Sequence, residues 1–301
     1  MTTATPDAAR RTADSFRLDG LRAVVCGATQ GIGRAISLAF ADRGAAVTIV
    51  GRNDEGLAKV AGEMKAISRS GVEHSGAAAT AGAGASAGTS AGTGAGADHR
   101  TLLCDFTDPA SVARAAEEEA KRGAAHILVH NTGGPAAGFA IDAAPEEFER
   151  AFRMHTVTAQ ALARAFVPGM RDAKYGRILC ITSTSVVTPI RGLGVSNTIR
   201  AAMANWCRTL AVELAPFGIT VNNILPGFTR TARLEALFKG RAQRAGSTLE
   251  EVQRDALKSI PAGRIADPSE IAAVAAFLAS PAASYLTGVN IPVDGGRLAQ
   301  G

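Results

Sequence analysis

Residues 23–44 read AVVCGATQGIGRAISLAFADRG, and the order of features in this stretch decides the fold. AVVC is a short apolar run of the kind a buried strand shows, and RAISLAFADRG repeats its apolar residues with a helical period. Between them lies Cys26-Gly27-Ala28-Thr29-Gln30-Gly31-Ile32-Gly33. Strand, glycine turn and helix in that order lay out a pyrophosphate site: Gly27 permits the tight turn, Gly31 lets a ligand approach the backbone, and Gly33 lets helix and strand pack closely. Thr29, Gln30 and Ile32 fill the rest of the turn, where the helix N-terminus offers free amides and positive potential to a phosphate. Glycines alone usually only mark turns; the flanking strand and helix make the phosphate reading the stronger one here.

The same alternation continues outward. AVTIV, TLLC, HILVH, RILCIT, ITVNNIL and VNIPV are strand-like, with segments of period near 3.6 between them. They predict an α/β chain: a single Rossmann-type, doubly wound parallel sheet with helices on both faces. A chain of 301 residues is long enough for one such domain with a small lid. Two stretches fall outside the pattern. Residues 1–18 are polar and Ala-rich, which predicts a mobile N-terminal extension ahead of a domain over 19–301. Every residue in 75–97 is Ala, Gly, Ser or Thr, too little apolar bulk to offset the entropy of ordering, which predicts a disordered insertion in a surface loop. With no strand before it and no helix after it, this glycine-rich stretch is not read as a second phosphate loop.

The bulk numbers narrow the function. With 47% hydrophobic and 20% charged residues the composition is that of a soluble globular protein, and the opening MTTATPDAARRTADSF has no apolar run suited to a signal or a membrane span. A cytoplasmic location and no membrane association are expected. Cys26, Cys104, Cys180 and Cys207 are far apart without Cys-x-x-Cys spacing, so buried free thiols are expected, with no disulfide, no redox pair and no metal. The net charge of +5 is mild and its arginines form no dense block, so nucleic acid is not an expected partner, whereas a phosphorylated or carboxylated ligand fits.

The second strand-like run ends in Gly51-Arg52-Asn53. A NAD(H) site commonly places an acid here for the ribose hydroxyls, whereas a 2′-phosphate calls for a cation and no acid. Arg52 therefore favours NADP(H), with NAD(H) the lesser choice; a surface arginine opening a helix is the alternative. Asp105, in Cys104-Asp105-Phe106-Thr107, has two equal readings, an acceptor for the adenine amino group or a helix cap.

With these strings in place the sequence resembles the short-chain dehydrogenase/reductase family, of the kind that includes bacterial 3-oxoacyl-carrier-protein reductases. GATQGIG, CDFTD, HNTGG at 130–134, LAVELAPFGITVNNILPGFTRT at 210–231 and LTGVNIPVDGG at 286–296 carry the resemblance, which runs from about Leu18 to Gly296. It implies a seven-stranded sheet, a homo-oligomer (dimer or tetramer), and hydride exchange between a nicotinamide and a carbonyl or alcohol in a small-molecule or acyl-thioester substrate. It also implies that Asn131 and Gly133 line the cofactor and that Pro226, Gly227 and Thr231 pass near its nicotinamide end. Helix-forming sequence from Gly194 to Pro216 carries enough Ala, Met, Trp and Leu to pack against another subunit.

The family's reaction centre combines Asn, Ser, Tyr and Lys, the last two as Tyr-x-x-x-Lys on one helical face. Here Ser183 matches the serine, but Ser196 stands where the tyrosine belongs, Arg200 where the lysine belongs, and His155 where the Asn belongs. Arg200 can hold ribose hydroxyls and supply positive potential, yet it does not release a proton at working pH. Ser196 is a far weaker acid than a phenol. Tyr175 and Tyr285, the chain's two tyrosines, are not placed to substitute. His155 titrates near neutrality in principle, which makes it one candidate proton donor, with Ser183 and Ser196 orienting the substrate and Arg200 stabilising developing charge; the other reading is a partly buried helix residue bonded to a backbone carbonyl. Residues 228–261 read as a substrate lid, where Phe228, Leu234, Leu237 and Phe238 alternate with Arg230, Arg233, Arg241 and Arg244. An apolar acyl group with an anionic carrier suits that surface; the faces of an amphipathic helix are the plainer account. Two functions follow from the altered centre: an NADP(H)-dependent reductase of a 3-oxoacyl-like carbonyl, or a nucleotide-binding sensor or scaffold without turnover.

Overall fold

A computed structural model of the chain describes residues 14–79 and 97–300. Seven parallel strands form one sheet: β1 (Arg22–Cys26), β2 (Ala46–Gly51), β3 (Arg100–Leu103), β4 (Ile127–His130), β5 (Gly176–Ile181), β6 (Ile219–Pro226) and β7 (Asn290–Val293). The order across the sheet is β3-β2-β1-β4-β5-β6-β7. The central strands are covered on both faces, so their runs show no in-out alternation, and all eight residues of β6 are buried, its Thr220, Asn222 and Asn223 included, whereas the edge strand β3 alternates in burial.

The helices between them are α1 (Gly31–Asp42), α2 (Asp54–Ala79), α3 (Pro109–Ala120), α4 (Pro145–Phe152), α5 (Thr158–Asp172), α6 (Gly194–Leu214), α7 (Ala232–Ala245), α8 (Leu249–Lys258) and α9 (Pro268–Ala279). One core lies under α1, α2 and α9, where Ile36, Phe40, Leu57, Met64 and Ile271 meet Val25, Val47 and Ile224 of the sheet. The other lies under α3, α5 and α6, where Val112, Leu162, Phe166, Met203 and Leu214 meet Val24, Ile178 and Val221. Each fully buried side chain of this size contributes roughly 1.5–3 kcal/mol, so both faces of the sheet are firmly held. The strand order reverses at β1, which leaves a crevice beyond the carboxyl ends of β1 and β4.

The edges of two expectations move. The segment from Asp14 is tied down: Leu18 is fully buried in the core, its N–H donates to the Arg43 carbonyl at 2.8 Å, and Phe16 lies against Phe277. A single leucine inserted into the sheet's core outweighs the polar composition around it, so the expected extension shortens; its residues 1–13 lie outside the described residues. Similarly, α2 continues to Ala79, taking in the first five residues of the Ala/Gly/Ser/Thr stretch, because alanine is the best helix former. Residues 80–96 of that stretch lie outside the described residues.

In 228–261, α7 and α8 pack on each other through a small apolar cluster of their own, with Leu234, Phe238, Val252 and Ala256 buried. Thr248 and Glu251 form a capping box at the start of α8, which fixes the turn between the two helices. All four cysteines are buried free thiols. Among the described residues, no helix is long and apolar enough to cross a membrane and no group of His, Cys, Asp and Glu is placed to hold a metal.

Candidate active site

The glycine turn opens the crevice. Gly27 has φ +60°, and a Cβ there would overlap the Asn131 carbonyl; a Cβ on Gly33 would overlap the Gly27 carbonyl. The first helical turn of α1 therefore lies directly on the end of β1, as the glycine spacing predicts. Gln30 precedes α1 without a side-chain cap, so the first-turn amides lack that internal partner. Across the crevice the Asn131 amide donates to the carbonyls of Cys26 at 3.2 Å and Gly27 at 3.3 Å, tying the ends of β1 and β4 together. These features suit a pyrophosphate: backbone approaches closely, a helix N-terminus is open, and side-chain bulk is excluded.

A cleft of about 1570 Å³ runs from this turn across the carboxyl ends of the strands. Gly27, Thr29, Gln30, Gly31 and Ile32 line it, and so do Arg52 and Asp105 at one end and Asn131, Gly133, Pro226, Gly227 and Thr231 along it. Ser183, Ser196 and Arg200 line it as well, so one cavity unites the cofactor-type residues with three of the four reaction-centre positions. Gly33 lies beneath the wall. Asp105 accepts from the Thr107 amide at 2.9 Å, while the N-cap of α3 is Asp108, which accepts from Ala110 and Ser111. The cap reading of Asp105 is thereby corrected, and its carboxylate stays at the cleft, held below its usual range by the Thr107 amide and hydroxyl and, more weakly, by Arg52.

Ser196 and Arg200 stand one turn apart on α6, both buried, and Ser183 closes β5 with its Oγ accepting from the Ser185 amide at 3.1 Å. Arg200 is 9% exposed, and its Nη1 donates to the Ile181 carbonyl at 2.7 Å. Burial first, and the neighbouring Arg233 second, pull its guanidinium down to about 10, which leaves it charged at neutral pH. Arg233, at the start of α7, donates to the Pro135 carbonyl and so bridges the 228–261 segment to the loop after β4.

His155 does not take the place that its position in the chain suggests. The helix widens into a π-helical turn over Arg153–Val157, and within it Met154 lines the cleft while His155 is 1% exposed beneath it. The Nδ1 atom pairs with the Thr132 hydroxyl at 2.6 Å, and Nε2 is enclosed without a hydrogen-bond partner. Burial, then the Arg200 and His130 charges, push its pKa down to about 2. An imidazole held neutral and walled off from the cleft is not a proton donor to a ligand in it, so that expectation is corrected. The reading of a buried helix residue fits this setting better, with the Thr132 hydroxyl as the close partner and the Gly133 backbone acting weakly on the ring. His130 lies behind it, fully enclosed and pushed down to about 3, chiefly by burial. The sequence does carry a signal for this buried trio: His130 and Thr132 are the residues at which HNTGG departs from Asn-Asn-Ala-Gly.

The cleft-lining side chains, among the described residues, include no Tyr, Lys, His, Cys or Glu. Tyr175 is committed elsewhere, donating to the Ala279 carbonyl at 2.7 Å, and Tyr285 is fully exposed away from the cleft.

Comparison with known proteins follows the same lines. A family model described as enoyl-(acyl carrier protein) reductase matches residues 72–297, and one described as short chain dehydrogenase matches residues 22–80. An uncharacterized oxidoreductase of Mycobacterium tuberculosis is 32% identical over 285 residues, covering 94% of each chain. The 3-oxoacyl-[acyl-carrier-protein] reductase MabA of M. tuberculosis is 34% identical over 194 residues, 64% of this chain and 74% of MabA. Among solved structures, L-sorbose reductase from Gluconobacter frateurii, complexed with NADPH and L-sorbose, superimposes with a TM-score of 0.77 at 28% identity, covering 94% of this chain and 98% of that one.

Proposed function

Because the chain belongs to the short-chain dehydrogenase/reductase family, we propose that it is an NADP(H)-dependent reductase of a 3-oxoacyl-like carbonyl, working without the family's phenol and amine. The observation that carries this reading is the single cleft in which the glycine turn and Arg52 share walls with Ser183, Ser196 and Arg200. The amides of the Gly27–Gly33 turn hold the pyrophosphate, Arg52 the 2′-phosphate and Asp105 the adenine edge. Asn131 and Gly133 line the middle of the cofactor, and Pro226, Gly227 and Thr231 its nicotinamide end. NADPH, when bound, supplies the hydride.

The protein's own part is positioning and electrostatics. Ser183 and Ser196 donate hydrogen bonds to the substrate oxygen, and Arg200, charged and buried, stabilises the negative charge that develops there. With no Tyr, Lys, His, Cys or Glu lining the cleft among the described residues, the proton comes from water admitted to it. The helices over 228–261 serve as a lid, latched at Arg233. The same lack is what favours the second reading, a nucleotide-binding sensor or scaffold without turnover.

A titration of nicotinamide fluorescence tests the cofactor half. NADPH binds more tightly than NADH to the native protein, and Arg52→Glu weakens NADPH roughly 10- to 100-fold, the loss expected for a charge-assisted contact turned repulsive, while leaving NADH within a factor of a few. If neither nucleotide binds, the reductase and sensor readings sink together.

A further inference from the structure

Arginines outnumber aspartates ten to three among the residues lining the cleft. Most of these arginines stand apart from one another, but two converge, the buried Arg200 and the exposed Arg233. A Cβ built on Gly134 would lie 3.2 Å from Arg233 Nη2 and 3.5 Å from Arg200 Nη2, so the two guanidiniums face one point beside the loop after β4. Among the described residues neither forms an ion pair. Among the described residues their side chains donate to neutral carbonyls, Arg200 to Ile181 and Arg233 to Pro135. Two like charges held close together, one of them buried, are costly unless an anion completes the site.

The phosphates of a dinucleotide do not supply that anion. Their place is the glycine turn and the end of β2, where Gly51 packs on Thr29, whereas the arginine pair lies at the ends of β4 and β5, beside Ser183 and Ser196. There a cofactor offers only neutral ribose and a nicotinamide ring that is positive when oxidised.

We propose that Arg200 and Arg233 bind the carboxylate of the substrate itself, which makes that substrate a short oxo acid, most simply a 3-oxo acid in its free, unesterified form. This rests on the reductase reading of the same cleft and names its substrate class. Arg200 carries five N–H donors, one used by Ile181, and so can face both the carboxylate and the reacting oxygen. Ser196 lies four residues from Arg200 on α6, about 6 Å along the axis, so a short oxo acid with its carboxylate at the arginine pair can turn its carbonyl oxygen toward Ser196. The contact of Arg233 with Pro135 closes this end of the cleft and suits a small molecule. Met154, Ile190 and Leu193 supply apolar walls for its carbon chain.

The test compares acetoacetate with ethyl acetoacetate, which differ in the free carboxylate. Binding is measured by calorimetry with and without NADP+, where no hydride is available and no turnover interferes. Acetoacetate binds at least 10-fold more tightly than the ester. Arg233→Gln removes most of that difference, and the readout is the ratio of acid to ester affinity, because loss of the Pro135 contact alone changes both affinities alike. Equal affinities for acid and ester, or an acid preference untouched by Arg233→Gln, overturn the proposal. NADPH oxidation is then followed with both compounds. Acid-selective binding with no oxidation of NADPH keeps the carboxylate site and removes the reductase reading; oxidation with the ester at equal or better kcat/KM keeps the reductase and removes the carboxylate site.

Discussion

Arg200→Met lowers kcat about 100- to 1000-fold, the loss seen when one preorganised donor to a developing oxyanion is removed, while the protein stays as stable as its parent or gains slightly. The combination is diagnostic. Arg200 is a buried cation without an acidic partner, so its removal abolishes a desolvation penalty. Against this, the Ile181 carbonyl loses its donor at 2.7 Å, a cost of about 1–3 kcal/mol for a buried group left unpaired. The two effects oppose each other, and thermal unfolding stays near that of the native protein. A residue retained only for packing behaves the other way, with stability falling and residual activity tracking the folded fraction. NADPH affinity falls by no more than about 10-fold, the share expected if the guanidinium also holds the ribose hydroxyls. Thermal unfolding, NADPH titration and turnover on one preparation separate these outcomes.

Acidification from pH 7 to pH 5 costs on the order of 4 kcal/mol of folding stability through His130 and His155 alone. Both are enclosed and held neutral in the folded state, with pKa values pushed down to about 3 and about 2, whereas in the unfolded chain each titrates near its ordinary 6.5. Below that value the unfolded state binds more protons than the folded state, so stability is complete above about pH 6.5 and declines as the pH drops toward the folded values. Each histidine contributes about 1.4 kcal/mol per pH unit over that window. The sum is a large part of the 5–15 kcal/mol typical of a domain. In the variant carrying His130→Asn and His155→Asn, the unfolding midpoint in urea should lose most of its slope between pH 7 and pH 5. An unchanged slope rules out the buried, neutral histidines as its source.

The parts of this molecule legible in its sequence are those set by local chemistry. The glycines of 27–33, the apolar runs and the Gly51-Arg52 step each express a requirement of one turn or one strand, and the sheet, the crevice and the cofactor-type wall follow from them. Contacts between distant segments were not legible. Thr132 meets His155 across 23 residues, and Arg233 reaches Pro135 across 98; no periodicity marks either. The position of His155 in the chain suggested a residue facing the cleft, and the π-helical turn at Arg153–Val157 gives that wall to Met154 instead. Leu18, one apolar residue in a polar stretch, carries too little sequence signal to announce that it completes the core. Asp105 and Asp108 were separable only by geometry, since both precede the same helix.

Hydride transfer at a centre that lacks a phenol is checked by following a single label. NADPH carrying deuterium at one face of C4 is mixed with the protein and, in turn, acetoacetate, ethyl acetoacetate and a 3-oxoacyl thioester, and the products are read by mass spectrometry. One deuterium is expected at the carbinol carbon for each NADPH oxidised, from one C4 face and not the other. NADPH that binds tightly but transfers no deuterium to any of the three contradicts it, and leaves a nucleotide-binding protein that senses or scaffolds without chemistry.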